Sequence, residues 1–404
     1  MNNGEPKVQK ESPKKGFVPS LAVAFFATGK LDILMSIFLV DIAATFLGST
    51  DKIAIGTASQ ILVISSVVAV IFGLLTSILS VRFKHKQLLL FGSLCIILST
   101  VGCFFAPNFM VLQIFYSLDG AGTIIVGAMA IALIGEFLPL KKRAKAIGWV
   151  IAAGLLATAI GAPVAGFLES IGGWRFFLLM YVLPVSIAAF ALAFFYIPQK
   201  EHQKKKPVAK ASYLRSLKQV LLNKSAFACL LGSMFFSGAS VWSSFASSFM
   251  RQYFFVSVQT VALVVLGVIL FYSAGSIIGG QLVNRIGRKR LVVLSYFFRG
   301  LLIPAIVFMP DFVTSVIMSL LATFIGGFAI TAGRSLSLEQ APKSRGTMMS
   351  LGGVFWSLGG ALGAAVGGVV LSQFTYQILG VVFGVFGVVA AFVILFLAKD
   401  TCKP

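Results

Sequence analysis

Histidine is nearly absent from this 404-residue chain and acid is scarce: two His and 12 Asp and Glu stand against 33 Lys and Arg. Both histidines, His85 and His202, fall in polar loops, and no HExxH, GxSxG or paired-carboxylate protease pattern occurs. Those absences remove the common hydrolase and metal-dependent sites, so no enzyme, metal or cofactor is expected. The four cysteines show no CxxC or ligand spacing, which fits buried thiols better than a disulfide framework or a zinc site. Charge is also missing overall: charged residues make up 11%, against about 25% in a soluble domain. With 58% hydrophobic residues, the composition excludes a soluble globular protein. A net charge of +21 would suit nucleic acid, but its placement argues otherwise.

A helix needs about 20 mainly apolar residues to cross about 30 Å of hydrocarbon. Twelve runs qualify: 18–46, 55–81, 87–106, 110–137, 146–170, 176–196, 226–250, 257–283, 291–309, 312–337, 346–371 and 376–398. The first run passes Lys30 and Asp32 and reaches Leu47, too long for a signal-peptide core. None reads as strand, so an all-α polytopic membrane protein is expected. If both termini are cytoplasmic, 27 of the 33 Lys and Arg lie in inner segments and three, Lys52, Arg175 and Arg251, in outer ones. That bias satisfies the positive-inside rule and supports the even span count. The basic charge is thus topological, with attraction to anionic lipid and no nucleic-acid partner.

Residues 197–225 are a charged cytoplasmic linker between an N-terminal six-helix bundle, 18–196, and a C-terminal one, 226–398; 1–17 and 399–404 are cytoplasmic tails. Tyr213, Leu214, Leu217, Val220 and Leu221 share one face, which predicts a helix on the inner membrane surface, regulatory or simply a linker. The two bundles repeat. At a constant offset of 203, Leu79, Arg82, Lys86 and Leu88 match Leu282, Arg285, Lys289 and Leu291, and Glu136 and Pro139 match Glu339 and Pro342. Parallel repeats about an axis normal to the membrane, with the substrate site between them, are a transporter arrangement.

The best-preserved repeat element is the basic turn Gly280-Gln281-Leu282-Val283-Asn284-Arg285-Ile286-Gly287-Arg288-Lys289-Arg290. It resembles the signature loop of the major facilitator superfamily, and the resemblance covers nearly the whole chain. Asn284 stands where that signature has Asp. The first-half copy departs further, with Val81 at the acidic position and Lys84 at the second glycine. Gly161-Ala162-Pro163-Val164-Ala165-Gly166 and Gly173-Trp174-Arg175-Phe176-Phe177 resemble the drug:proton antiporter branches, although Tyr116 replaces their span-4 Arg. The resemblance implies two bundles related by a pseudo-two-fold axis, with spans 1, 4, 7 and 10 lining a central cavity. It also implies that glycine-rich spans 5 and 11 meet across the interface between halves and slide; static packing would use the same glycines. Pro163 permits a kink.

An ionisable side chain at mid-bilayer costs about 2.5–3.5 kcal/mol on insertion scales and needs a reason. Lys30 and Asp32 in span 1 and Asp119 in span 4 are the candidates for proton coupling. By helix rise Asp32 lies about 21 Å and Asp119 about 17 Å from the inner face, so the carboxylates can share a level. The alternative is a buried tie from Lys30 to either acid. Thr28, Asp32 and Ser36 make one stripe; Ser233, Ser237, Ser240, Ser244 and Ser247 make another, beside Trp242, Phe245 and Phe249, and Arg334 sits in span 10. Thr28, Ser36, Ser237, Ser240, Trp242, Ser244, Phe245 and Arg334 are the cavity candidates, with helix packing as the competing role for the serines. Arg82, Lys86, Gly280, Asn284, Arg285, Gly287, Arg288, Gly161, Pro163, Gly166, Glu136 and Glu339 are the gating candidates.

The expected function is proton-coupled export of small amphiphilic organic compounds by a monomer in the cytoplasmic membrane. An organic-anion carrier using Lys30, Arg334 or Arg299 is the alternative. A transport-dead sensor of the same fold is a third.

Overall fold

A computed structural model describes residues 16–198, 217–341 and 345–400. The tails, most of the predicted linker and the side chains of Lys30, Asp32, Ser36, Arg82 and Asn284 lie outside the described set. Of the predicted linker helix, residues 217–222 are described and helical, and Val220 is buried.

The described chain is helical, and no strand occurs among the described residues. In the first half, α1 (Phe17–Phe26) and α2 (Lys30–Leu47) are joined by a 3-10 turn. α3 (Lys52–Arg82), α4 (His85–Phe105), α5 (Phe109–Phe137), α6 (Leu140–Phe177) and α7 (Leu183–Tyr196) follow. The second half holds α8 (Lys224–Ser240), α9 (Trp242–Tyr253), α10 (Val258–Ile286), α11 (Arg288–Phe308), α12 (Phe312–Gln340), α13 (Arg345–Gln373) and α14 (Tyr376–Leu397).

Ten stretches among the described residues, rather than the expected twelve, have the length and apolarity to cross a bilayer. The first expected span is seen as two shorter apolar stretches, Phe17–Gly29 and Ile37–Leu47, on either side of residues 30–36, most of whose side chains lie outside the described set. Ala146–Tyr196 runs as one stretch of 51 residues. As one straight helix that would be about 75 Å long. Gly172 and Gly173 interrupt it with non-helical geometry, Gly173 at φ 73°, where glycine alone is unstrained. Phe105, Phe195 and Phe396 are 67–74% exposed on the outside of the bundles, as lipid-facing side chains must be.

Short polar residues start several helices by accepting orphan backbone N–H groups. Asn108 accepts from Val111 at 2.9 Å and Asp311 from Thr314 at 3.0 Å. These two caps are themselves 203 residues apart. The signature turns do not match so closely. Gly287 ends α10 at φ 90°, whereas Lys84, at the equivalent place, has φ −67° and an extended ψ. The first-half loop therefore turns without a left-handed residue, which is why a side chain is tolerated there.

Two seams join the halves: α3 packs on α13, and α6 packs on α10. Spans 5 and 11 thus meet the opposite half through spans 8 and 2, in a two-fold exchange, and not mainly through one another. Both seams close on glycine. A Cβ on Gly56 would lie 2.6 Å from the Gly368 carbonyl, and one on Gly166 would lie 2.8 Å from the Ala262 Cβ. A third contact, α2 on α9, lies at the same end of the molecule, opposite the basic loops.

Candidate functional site

Between the bundles lies a cavity of about 410 Å³. Its wall takes Met35 from α2, Leu62 from α3, Leu155 and Thr158 from α6, and Val261 to Tyr272 from α10. Ser240 to Met250 border it across the junction of α8 and α9, with Arg299 and Ile303 of α11, Ser319 and Thr323 of α12, and Trp356 of α13. A larger depression of about 860 Å³ lies at the end opposite the basic loops, around Thr50, Lys52, Arg251 and Phe374.

The α8–α9 junction shapes the cavity wall. The helical ladder is interrupted at Val241, whose N–H bonds to the Gly238 carbonyl and whose carbonyl accepts from Ser244. Before the break the serine stripe packs inward: Ser237 donates to the Trp356 carbonyl at 2.7 Å. After it, Ser243, Ser244 and Ser247 face the cavity, together with Ser240 and Trp242. Three of the eight predicted cavity residues, Ser240, Trp242 and Ser244, therefore line it.

The others are elsewhere. Ser237 is committed to α13. Phe245 is fully buried against Phe383, with ring centroids 5.8 Å apart. Thr28 is buried and returns its hydroxyl to the Phe25 carbonyl at 2.7 Å. Arg334 is exposed and outside the cavity wall. The side chain of Ser36 lies outside the described residues.

Of the proton-coupling candidates, the side chains of Lys30 and Asp32 lie outside the described residues. Asp119 is 5% exposed and sits within the first bundle, in electrostatic reach of Cys103 on α4. It is not part of the cavity wall. Its neighbour Gly120 presses on α3, where an added Cβ would lie 2.4 Å from the Ser65 carbonyl.

Arg299 is not among the cavity residues expected from sequence, where it figures only as a partner for an organic anion. In the structure its Nη1 donates to Ser240 Oγ at 3.0 Å, and its guanidinium lies 4.7 Å from the Phe236 ring centroid, at the cavity wall. A cation within an apolar span, two spans along from the serine stripe, was the available signal.

The gating candidates fall at both ends. At the basic end, His85 Nδ1 is 2.9 Å from Glu136 Oε2 and Arg288 Nη1 is 3.5 Å from Glu339 Oε1. Lys86 caps α7 by donating to the Phe194 carbonyl at 2.7 Å. Arg285 is exposed. Gly280 is not the tight glycine of its motif. Gly275 and Gly279 carry the close approach of α10 to α12, with added Cβ atoms 2.0 Å and 2.7 Å from Phe324 and Phe328 backbone atoms. Pro163 lies inside α6 between buried Gly161 and the seam residue Gly166.

At the opposite end Asp41 is not a solvated surface acid. Arg251 grips both its oxygens, at 2.5 and 2.9 Å, across the interface between halves. Beside it Gln252 donates to the Thr50 carbonyl and accepts from Tyr376 at 2.8 Å.

A sequence profile of the Major Facilitator Superfamily matches residues 20–256 and 240–403. The MFS-type transporter YceJ of Bacillus subtilis (strain 168) is 25% identical over 311 residues, spanning 76% of this chain and 77% of that protein. Multidrug resistance protein 2 of the same organism is 23% identical over 306 residues, 71% of this chain and 73% of that one. Among solved structures, a D-xylose–proton symporter superposes with a TM-score of 0.78 at 14% identity, covering 96% of this chain and 98% of that one. A bacterial homologue of the human lysosomal transporter Spinster does so with 0.75 at 17%, covering 95% and 96%. These structural likenesses carry the fold alone.

Proposed function

The chain belongs to the Major Facilitator Superfamily of membrane transporters, and from that premise we propose that it exports small amphiphilic organic compounds against a proton flux. Alternating access would operate on the central cavity. The observation that carries this reading is the cavity wall itself. Trp242, Trp356 and Tyr272 offer apolar faces and five serines offer hydroxyls, between two bundles whose seams are glycine contacts. Such a wall suits ligands with an apolar body and a few polar groups. Asp41–Arg251 ties the halves together at the end opposite the basic loops. Topology completes the picture: twelve crossings, counting α1–α2 as one and splitting α6–α7 at Gly172, with both termini in the cytoplasm, as a monomer in the cell membrane.

Proton coupling rests on Asp32 and Asp119, the acids deepest in the apolar spans; Lys30 modulates Asp32 or ties to either acid. The similarity to a multidrug resistance protein supports the export direction. Proteoliposomes with an imposed pH gradient test it. Uphill movement of a fluorescent amphiphile is expected in the wild type and is expected to vanish in a D32N/D119N double variant. Undiminished pH-driven transport by that variant would remove both acids from the mechanism. The organic-anion reading keeps one specific support, Arg299.

A further inference from the structure

Arg299 is the only charged side chain among the described residues of the cavity wall. Guanidinium stays ionised at any workable pH. Among the described residues no Asp or Glu forms an ion pair with it; the ion pairs there are His85–Glu136, Asp41–Arg251 and Arg288–Glu339. Its titratable neighbours are the phenols Tyr272 and Tyr296. Among the described residues one of its five N–H donors is engaged, by Ser240. One flank lies over Phe236 and another packs on Gly326, where an added Cβ would be 3.2 Å from Nη1. That glycine leaves the guanidinium room but nothing to bond. A cation at this depth is costly unless paired or used. The partner that its free donors fit is a planar oxyanion, taken two-pronged.

We propose that the cavity recognises amphiphilic monoanions, with a carboxylate seated on Arg299 and the apolar body against Trp242, Val265 and Ile303. This rests on the reading of the cavity as the transport site and narrows its substrate class. Ser240 is a positioning residue: it holds the guanidinium at the wall from the broken end of α8.

The test uses purified full-length protein and its tryptophan fluorescence, to which Trp242 and Trp356 contribute from the cavity wall, with 2-naphthoate and its uncharged isostere 2-naphthamide as probes. The wild type is expected to bind naphthoate about tenfold or more tightly than naphthamide, the worth of a hydrogen-bonded charge. Arg299→Met is expected to lose that preference and bind the two probes about equally, with its helical circular dichroism retained as the check that it is folded. Arg299→Lys is expected to keep part of the preference. Equal binding of the two probes by the wild type overturns the inference and leaves the cavity as a transport site for neutral or cationic compounds. So does a preference that survives in Arg299→Met. Binding of neither probe to the wild type overturns the transport-site reading and the inference together.

Discussion

The imidazole Nδ1 of His85 lies 2.9 Å from Glu136 Oε2, and adding 203 to both numbers gives the pair Arg288–Glu339, at 3.5 Å. The duplication is thus preserved as a contact where the residue types have diverged. In each bundle the pair ties the start of one helix to the end of the next. All four side chains are 25–29% exposed, so each tie is modest.

Double-mutant cycles measure that. Alanine at His85 and Glu136, and separately at Arg288 and Glu339, should give coupling energies of about 0.2–1 kcal/mol that shrink with added salt. The two pairs belong to different bundles, so their effects on thermal stability should add. Strong non-additivity would mean that the basic ends of the halves touch through these groups.

Asp41–Arg251 bridges the halves at the other end, and its loss should favour the arrangement open there. In a cysteine-free background, a probe cysteine at Ser243 on the cavity wall reports the opening. Adding D41N should raise its labelling rate from that end roughly three- to tenfold, the range for a charge-assisted pair. The charge swap D41R/R251D should bring the rate back down. A rate indifferent to both variants would show that the seams alone hold this end shut.

Those seams should not tolerate a methyl group. Gly56→Ala would place carbon 2.6 Å from the Gly368 carbonyl and 3.0 Å from the Ser372 nitrogen, both backbone atoms. Overpacking of this kind costs about 1–3 kcal/mol. The cost falls on one arrangement of the halves, so transport should drop more than thermal stability. Gly352→Ala, with nothing within 4 Å, is the neutral control on α13. Equal transport by both variants would count against a sliding seam.

Asp311 supplies a pH-dependent cap. The backbone N–H of Thr314 and then its hydroxyl hold the carboxyl below its ordinary value. A group depressed in the folded state stabilises above its unfolded pKa, and that contribution is lost as pH falls through the folded one. Asp311→Asn should keep the cap, as Asn108 does in the first bundle, and remove that part of the acid sensitivity. Melting curves of the wild type and D311N across the acid range should converge at low pH. Parallel curves would exclude this cap as a source of acid sensitivity.

The membrane class, the duplication and the basic end were legible in the chain, because they depend on composition, charge position and a fixed offset. A 3-10 turn and a diglycine break were harder to see in hydropathy, which averages over a span and is blind to one residue's φ. The structure alone decided which polar groups meet. Asp41 and Arg251 are 210 residues apart and Ser240 and Arg299 are 59, and neither separation follows from a periodicity. The serine stripe shows why. Spacing of three and four puts Ser237 and Ser244 on one face of an ideal helix, but the break at Val241 turns that face between them. One serine is left on α13 and the other in the cavity. Periodicity fixes a face only while the helix stays regular, and what that face meets depends on its neighbours.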